Sequence, residues 1–394
     1  MQPFRTLAIL FLALATLSPA LPARAEPPRF KPLETLMEGA VRDSVFPGAS
    51  IAVLSKGRIV FHKAFGRMTY SPSSTPADTS TIYDLASLTK AIATTSIIMQ
   101  LVERDSLSLG SAVSSLLPGF RGKGKEKVTI EHLLCHTSGL RAHTFYAKSC
   151  RTPEELFQAI EREPLLSEPG SKTLYSDLGF MLLGKIIETR TRKRLDENFH
   201  ARFSLSLGLK ETMFTPPPET LGRIAPVDRD TSWPFSTPRP LVNDQNAALL
   251  GGVAGHAGLY STTGDLARMV MMVMNGGTLD AKRYFRESTL RRFLSGNGSE
   301  RALGWDRRPA QGSSSSGKFF SSSSYGHLGY TGTSIWIDPE KELAVILLSN
   351  RVYPSAENIK IRAFRPLLHD TIVECMGEEA VSYTHLTLPT KRIV

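Results

Sequence analysis

Thr81-Ile-Tyr-Asp-Leu-Ala-Ser-Leu-Thr-Lys-Ala-Ile-Ala-Thr-Thr-Ser-Ile-Ile-Met-Gln100 is the stretch around which the chain is organised. After Asp84, apolar residues recur at helical spacing (Leu85, Leu88, Ile92, Ile98, Met99, Leu101), which predicts a buried helix from near Ser87 to about Arg104. On such a helix Ser87 and Lys90 stand one turn apart on one face, so an amine can touch a hydroxyl. A serine is a weak nucleophile until a neighbour takes its proton. A lysine in a dry pocket has a lowered pKa and can help to take it. The helix start adds unpaired N–H groups that favour developing negative charge. The S-x-x-K pattern is not specific by itself. Ser315 and Lys318 repeat it in a serine-rich loop, and Ser87 would also serve as a plain N-cap.

Outward from this stretch, strands are expected at both ends of the chain. Residues 49–66 read as two apolar runs around a Ser-Lys-Gly turn, and 333–350 as a second strand-turn-strand. Between them the text is mostly helix and loop. Helices are expected over 33–41, over 128–136 with Thr129 as cap and Gly139 as terminator, over 152–161, 178–189 and 262–275, and finally over 364–375. Residues 215–245 are a Pro-rich polar excursion. Strands far apart in sequence must pair to bury their apolar faces. The expected fold is therefore α/β in the α+β sense: an antiparallel sheet formed by both chain ends, flanked by helices, with an inserted mostly helical subdomain. The expected boundaries are a signal peptide over 1–25 and one domain over 26–380. Its sheet part covers about 26–85 and 255–380, and its helical part about 86–254. The tail 381–394 reads as non-native sequence rather than a continuation.

Arg5, the apolar run over 6–17 and Ala23-Arg24-Ala25 read as an export signal, pointing to a secreted protein of the bacterial periplasm. The run is too short for a comfortable membrane span. Cys135, Cys150 and Cys375 are an odd count, so full internal pairing is excluded, while a Cys135–Cys150 bridge stays open. The formal charge of +10 is modest for 394 residues. Its basic residues are scattered without an aromatic-interleaved patch, which argues against nucleic acid and leaves only unspecific attraction to anionic wall polymers.

Two further pieces carry chemistry. Tyr175-Ser-Asp177 lies on a loop entering an apolar helix, and a tyrosine beside a cationic lysine can act as a base. It can equally be a core tyrosine with Asp177 as helix cap. Gly326-His-Leu-Gly-Tyr-Thr-Gly332 precedes a strand. As a glycine-rich edge it would let a substrate lie against the backbone, with one N–H completing an oxyanion hole with that of Ser87. His132 and His136 are four apart on a helix and form a rival zinc pair, but there is no H-E-x-x-H. No G-x-S-x-G string supports an α/β-hydrolase.

In this order the pieces resemble the serine β-lactamase and penicillin-binding family, most closely its class C β-lactamase-like hydrolases and esterases, over about residues 30–378. The strings His136-Thr-Ser-Gly-Leu140, Tyr175-Ser-Asp-Leu-Gly-Phe-Met-Leu-Leu-Gly184, Gly251-Gly-Val-Ala-Gly-His-Ala-Gly-Leu-Tyr-Ser261 and Thr331-Gly-Thr-Ser-Ile-Trp-Ile-Asp338 carry the resemblance. It implies Ser87 as acylated nucleophile, Lys90 sharing its proton and Tyr175 as general base. The N–H groups of Ser87 and Tyr330 would hold the oxyanion, and Asp177, His327 and Gly329 would meet substrate. No cofactor or metal is implied. The implied reaction is cleavage of an amide or ester, either a D-alanyl peptide of peptidoglycan or a small ester. A β-lactamase and a non-hydrolytic penicillin-binding sensor or scaffold are the alternatives. Two positions depart from the family pattern. Asp177 stands where many members have Asn, and an ionised Asp only accepts hydrogen bonds. His327 stands where the motif often begins with Lys, so a permanent cation for a substrate carboxylate is replaced by a group titrating near ~6.5.

Overall fold

The computed structural model describes residues 28–228, 233–235, 241–296 and 301–384. The export signal read over 1–25 and most of the 381–394 tail lie outside these residues. The described residues form twelve strands: β1 (Gly48–Ser55), β2 (Arg58–Gly66), β3 (Tyr83–Asp84), β4 (Met213–Phe214), β5 (Leu259–Ser261) and β6 (Thr278–Leu279), then β7 (Lys282–Arg283), β8 (Arg301–Ala302), β9 (Trp305–Arg307), β10 (Tyr325–Leu328), β11 (Ser334–Asp338) and β12 (Leu343–Ser349). Seven of them form an antiparallel sheet in the order β2-β1-β12-β11-β10-β9-β8. The two ends of the chain meet at its centre, where β1 pairs with β12 from Ala49 opposite Ser349 to Ser55 opposite Leu343.

The side-chain period of two sorts the strand residues between two cores. Ile51 and Val53 of β1, with Val345 and Leu347 of β12, pack against the helices Lys31–Arg42 and Ile361–Thr384. Ala52, Leu54, Ile346 and Leu348 face the opposite way, into the larger core built from the stretch around Ser87 and the helical half of the chain. Both strands are covered on both faces, which is why they read as continuous apolar runs rather than as alternations. The last helix continues to Thr384, four residues into the segment read as a foreign tail.

Several local expectations change. The stretch after Ser87 is helical but not uniformly α: Lys90–Thr95 is π-helical before Ser96–Glu103 turns α-helical, and all six π residues are buried. Such wide turns cluster at functional sites. The helix over 128–136 is shorter, Ile130–Leu134. Thr129 caps it as expected, with His132 completing the capping box, but the chain turns at His136, whose φ is 58°, before Gly139 is reached. The helix Asp177–Thr191 is capped by Ser176, whose Oγ accepts from Gly179 N at 3.3 Å. Asp177 is therefore not the cap, and its carboxylate is free for the site. β10 is not a simple edge. Tyr325 and Gly326 pair with β9, whereas His327 and Leu328 pair only with β11, so the edge opens at the end nearer the site. Cys135 and Cys150 are not joined by a disulfide. Among the described residues no helix is long and apolar enough to cross a membrane.

Candidate active site

A short sheet, β3-β5-β4, leads into the turn that carries Ser87. Tyr83 lies opposite Ser261 and Asp84 opposite Tyr260. Asp84 then stitches the turn. Its Oδ1 accepts from Ala86 N at 2.8 Å and its Oδ2 from Asn243 N at 2.7 Å. Ala86 takes a left-handed φ of 47°, uncommon for a residue with a Cβ, and this reverses the chain just before Ser87. From the sheet side, Thr331 Oγ1 donates to Asp84 O at 2.6 Å and Thr333 Oγ1 to Leu85 O at 3.0 Å. The third motif thus clamps the first through backbone carbonyls.

Lys90 is wholly buried, and its ammonium has three hydrogens. All three are used: it donates to Ser87 Oγ at 2.9 Å and to His256 O at 3.0 Å, and it pairs with Asp177 Oδ1 at 2.8 Å. Burial alone would lower the lysine pKa. The Asp177 charge, with a contribution from Tyr175, outweighs it and leaves the pKa raised. The sequence expectation of a depressed lysine is corrected here, because Asp177 supplies the counter-charge. In return Lys90, with His143, holds the Asp177 carboxyl far below its usual range against the opposing effect of burial.

Tyr175 lies beside both groups. Its ring faces Lys90 Nζ at 5.0 Å, and its hydroxyl interacts with Lys90 and Ser87. Burial pushes the phenol above its ordinary value, and the pull of Lys90 does not overcome it. The guanidinium of Arg301 covers the Tyr175 ring at 5.1 Å, and His136 packs on the ring at 4.4 Å while its Nδ1 accepts from Ser176 N at 2.9 Å. His136 and His132 therefore serve separate local structures, one under Tyr175 and one in a helix cap.

The residues expected to meet substrate divide. Both Asp177 oxygens are engaged, by Lys90 and by His143 Nδ1 at 3.1 Å, so Asp177 serves to hold the lysine rather than to receive a substrate amide. His327 is 1% exposed, and its Nδ1–H donates to Leu328 O at 2.9 Å. Burial, with Lys90 and Arg301 nearby, pulls its pKa to about 4 although Asp306 opposes this. It is neutral at physiological pH, which corrects its reading as a titrating carboxylate anchor. Gly329 donates its N–H to Thr333 O at 2.7 Å, and a Cβ there would sit 2.4 Å from Leu85 O. It is the point of close approach between the two motifs, not a substrate contact. Tyr330 is 56% exposed at the mouth, with its ring under Arg351 at 4.6 Å. Among the described residues, the N–H groups of Ser87 and Tyr330 donate no hydrogen bond, which leaves them free for an oxyanion.

The cleft above Ser87 has a volume of about 600 Å³, and Tyr175, Asp177, His143, Phe145, Asp244 and Tyr330 are among its walls. His143, Asp177 and Asp244 bring ligand-type atoms within 4.8 Å of one another. Their charges are already matched, Asp177 by Lys90 and Asp244 by His256 Nε2 at 2.9 Å, so the group is an ion-pair network. Asp84, His143, Asp244, His256 and Arg301 were not singled out in the sequence. Asp84 and His256 lay in quoted strings, and no spacing rule links His143, Asp244 or Arg301 to Ser87.

The Beta-lactamase family model matches residues 33–368. The chain belongs to the beta-lactamase family. A protein of Salmonella paratyphi B named "Putative D-alanyl-D-alanine carboxypeptidase" is 32% identical over 354 residues, covering 81% of this chain and 82% of that one. Among solved structures, a penicillin-binding protein homologue from Caulobacter crescentus superposes with a TM-score of 0.70 at 21% identity, covering 89% of this chain and 98% of the other. EstCE1, a hydrolase with promiscuous acyltransferase activity, superposes with a TM-score of 0.69 at 21% identity over 86% and 98%. This beta-lactamase family member is a serine hydrolase with the antiparallel-sheet and helix architecture of those structures.

Proposed function

We propose that the protein is an exported serine hydrolase that forms an acyl-enzyme on Ser87 and removes the terminal residue of a D-alanyl peptide. The observation that carries this reading is the contact between the Lys90 ammonium and Ser87 Oγ at 2.9 Å. Because that ammonium already donates, it cannot be the acceptor of the serine proton. The acceptor is the Tyr175 oxygen in its small phenolate fraction, which Lys90 stabilises. Ser87 Oγ attacks the carbonyl carbon, and its proton passes to Tyr175. The oxyanion is held by the N–H groups of Ser87 and Tyr330. Collapse breaks the scissile bond, and Tyr175 returns the proton to the leaving amine. Water, deprotonated by the same oxygen, then frees Ser87.

The peptide substrate rests on the curated relative's name at 32% identity. Export rests on the leader pattern. The test is a hydrolysis panel with a D-Ala-D-Ala peptide, nitrocefin and a nitrophenyl ester, each with wild type and Ser87→Ala. Release of D-alanine by wild type alone supports the reading. Turnover of the ester or nitrocefin without the peptide replaces it with an esterase or β-lactamase. A single-equivalent burst replaces it with a sensor. Covalent labelling of Ser87→Ala by a fluorescent penicillin or phosphonate would move the chemistry to another residue.

A further inference from the structure

The basic residues that look scattered in the sequence converge on a second cavity. It lies where the helices Ser96–Glu103 and Asp177–Thr191 end, beside the hairpin of β6 and β7. Its volume is about 590 Å³. Arg104, Arg190, Lys193, Arg202, Lys282 and Arg283 line it, and no Asp or Glu does. Among the described residues none of these six takes part in an ion pair.

What holds them is neutral. Arg190 donates to Ser106 O at 2.8 Å, Arg202 to Asn198 Oδ1 and Gln100 Oε1 at 3.2 Å each, and Arg283 to Phe285 O at 3.2 Å. Lys282 lies over the Tyr284 ring at 5.2 Å. These dipoles fix the cationic heads without discharging them. Burial and the neighbouring Arg104 charge both push the Arg202 guanidinium below its ordinary value, so the mutual repulsion is unrelieved. Helix carboxyl ends commonly attract cations, but each carries only about half a negative charge. Two such ends offset roughly one of the six charges.

We propose that this cavity binds an oligophosphate anion. Guanidinium forks engage phosphate oxygens two at a time, and a run of two or three phosphates matches an excess of about five positive charges. The volume suits a ligand of that size rather than a single small ion. The cavity lies at the far end of the helix that starts at Ser87. It shares no lining residue with the cleft above Ser87, so the two sites are separate and the inference does not depend on the proposed substrate. The phosphates can belong to a soluble polyphosphate or to an anionic lipid headgroup.

Titration calorimetry of the full chain with sodium tripolyphosphate, together with co-sedimentation on phosphatidylcholine vesicles containing cardiolipin, separates these sources. The comparison variant is Arg104→Gln/Lys193→Gln/Lys282→Gln, whose three side chains are exposed. Wild type should bind tripolyphosphate at low salt, weaken about tenfold in the variant, and weaken further at about 0.2 M NaCl. Ser87→Ala should bind as wild type does. Binding to tripolyphosphate assigns a soluble ligand. Binding to cardiolipin vesicles alone, lost in the variant, assigns the headgroup. Binding to neither, or equal binding by the variant, overturns the proposal. Should the triple variant fail to fold, Lys282→Glu alone on the hairpin must still weaken binding, and unchanged affinity is equally fatal.

Discussion

The Lys90 ammonium and the Asp177 carboxylate lie 2.8 Å apart, with the lysine wholly buried. Burial by itself would strip the lysine of its proton, and the carboxylate keeps it charged. The pair thereby sets the protonation state against which Ser87 and Tyr175 operate. An Asn at 177 could not do this, because it brings no charge.

Asp177→Asn should leave Lys90 buried without its counter-ion. Breaking such a pair costs about 3–5 kcal/mol, and partial exposure of Asp177 places the expected loss near about 3 kcal/mol. The folded Asp177 pKa lies below the unfolded value of about 3.9, so its contribution is present above that pH and fades on acidification. The folded Lys90 pKa lies above the unfolded value of about 10.4, so its contribution is present below that pH and fades as the pH rises through the folded value. Urea melts should therefore show the largest deficit between about pH 5 and pH 9, shrinking outside that window. His143, whose pKa the Asp177 hydrogen bond raises, adds a smaller deficit below about pH 6.5.

Tyr175 carries the second prediction. Its phenol is pushed above the ordinary value by burial, so the base form grows with pH throughout the neutral range. The acylation rate on a nitrophenyl ester should climb close to tenfold per pH unit from about pH 6 to pH 9, with no plateau below the usual tyrosine range near 10. Tyr175→Phe should lower kcat/KM by about 10²–10⁴ and flatten that slope. An intact slope in the variant would mean that another group accepts the proton.

What the sequence disclosed and what it hid have separate physical causes. The sheet was legible because β1 and β12 are buried on both faces and read as largely apolar runs. Ser87 and Lys90 were legible because helical spacing is local. The charge state of Lys90 was not, since it depends on Asp177, which reaches it only through the fold. His327 was misread for the same reason: its position in the motif says nothing about burial. The six cations of the second cavity come from four separate segments, and only the packing of two helix ends against a hairpin assembles them.

His327 provides a direct check on its corrected role. A pKa near about 4 means that it does not titrate in the physiological range. The ratio of kcat/KM for an anionic peptide to that for a neutral ester should be flat from about pH 5.5 to pH 8, since any shared Tyr175 dependence cancels. A step near the ordinary histidine pKa of about 6.5 would restore the carboxylate-anchor reading. The group instead bears on stability. Its folded pKa is below its unfolded one, so its neutral form stabilises the fold above about pH 6.5, and that contribution is lost as pH falls towards about 4. His327→Gln should remove that part of the acid transition.

Gly329 tests whether the clamp between the motifs supports the site. A Cβ at 329 would stand 1.9 Å from Thr333 Oγ1 and 2.4 Å from Leu85 O. The first contact can be relieved by a rotamer change, but the second is backbone of the nucleophile turn and cannot yield without moving it. Gly329→Ala should therefore cost at least about 1–3 kcal/mol and also lower the acylation rate, because the loop carrying the Tyr330 N–H is pushed away from Ser87. Gly222→Ala is the control, since nothing lies within 4 Å of a Cβ there, and it should change neither quantity. Adding Thr333→Ala to Gly329→Ala removes the nearer obstacle but also the Thr333 hydrogen bond to Leu85 O at 3.0 Å, so recovery should be partial at most. Thermal melts and pre-steady-state burst rates with a nitrophenyl ester read the two effects separately. A Gly329→Ala protein that acylates at the wild-type rate would show that the loop relaxes without disturbing Ser87, and that the clamp has no part in positioning the serine.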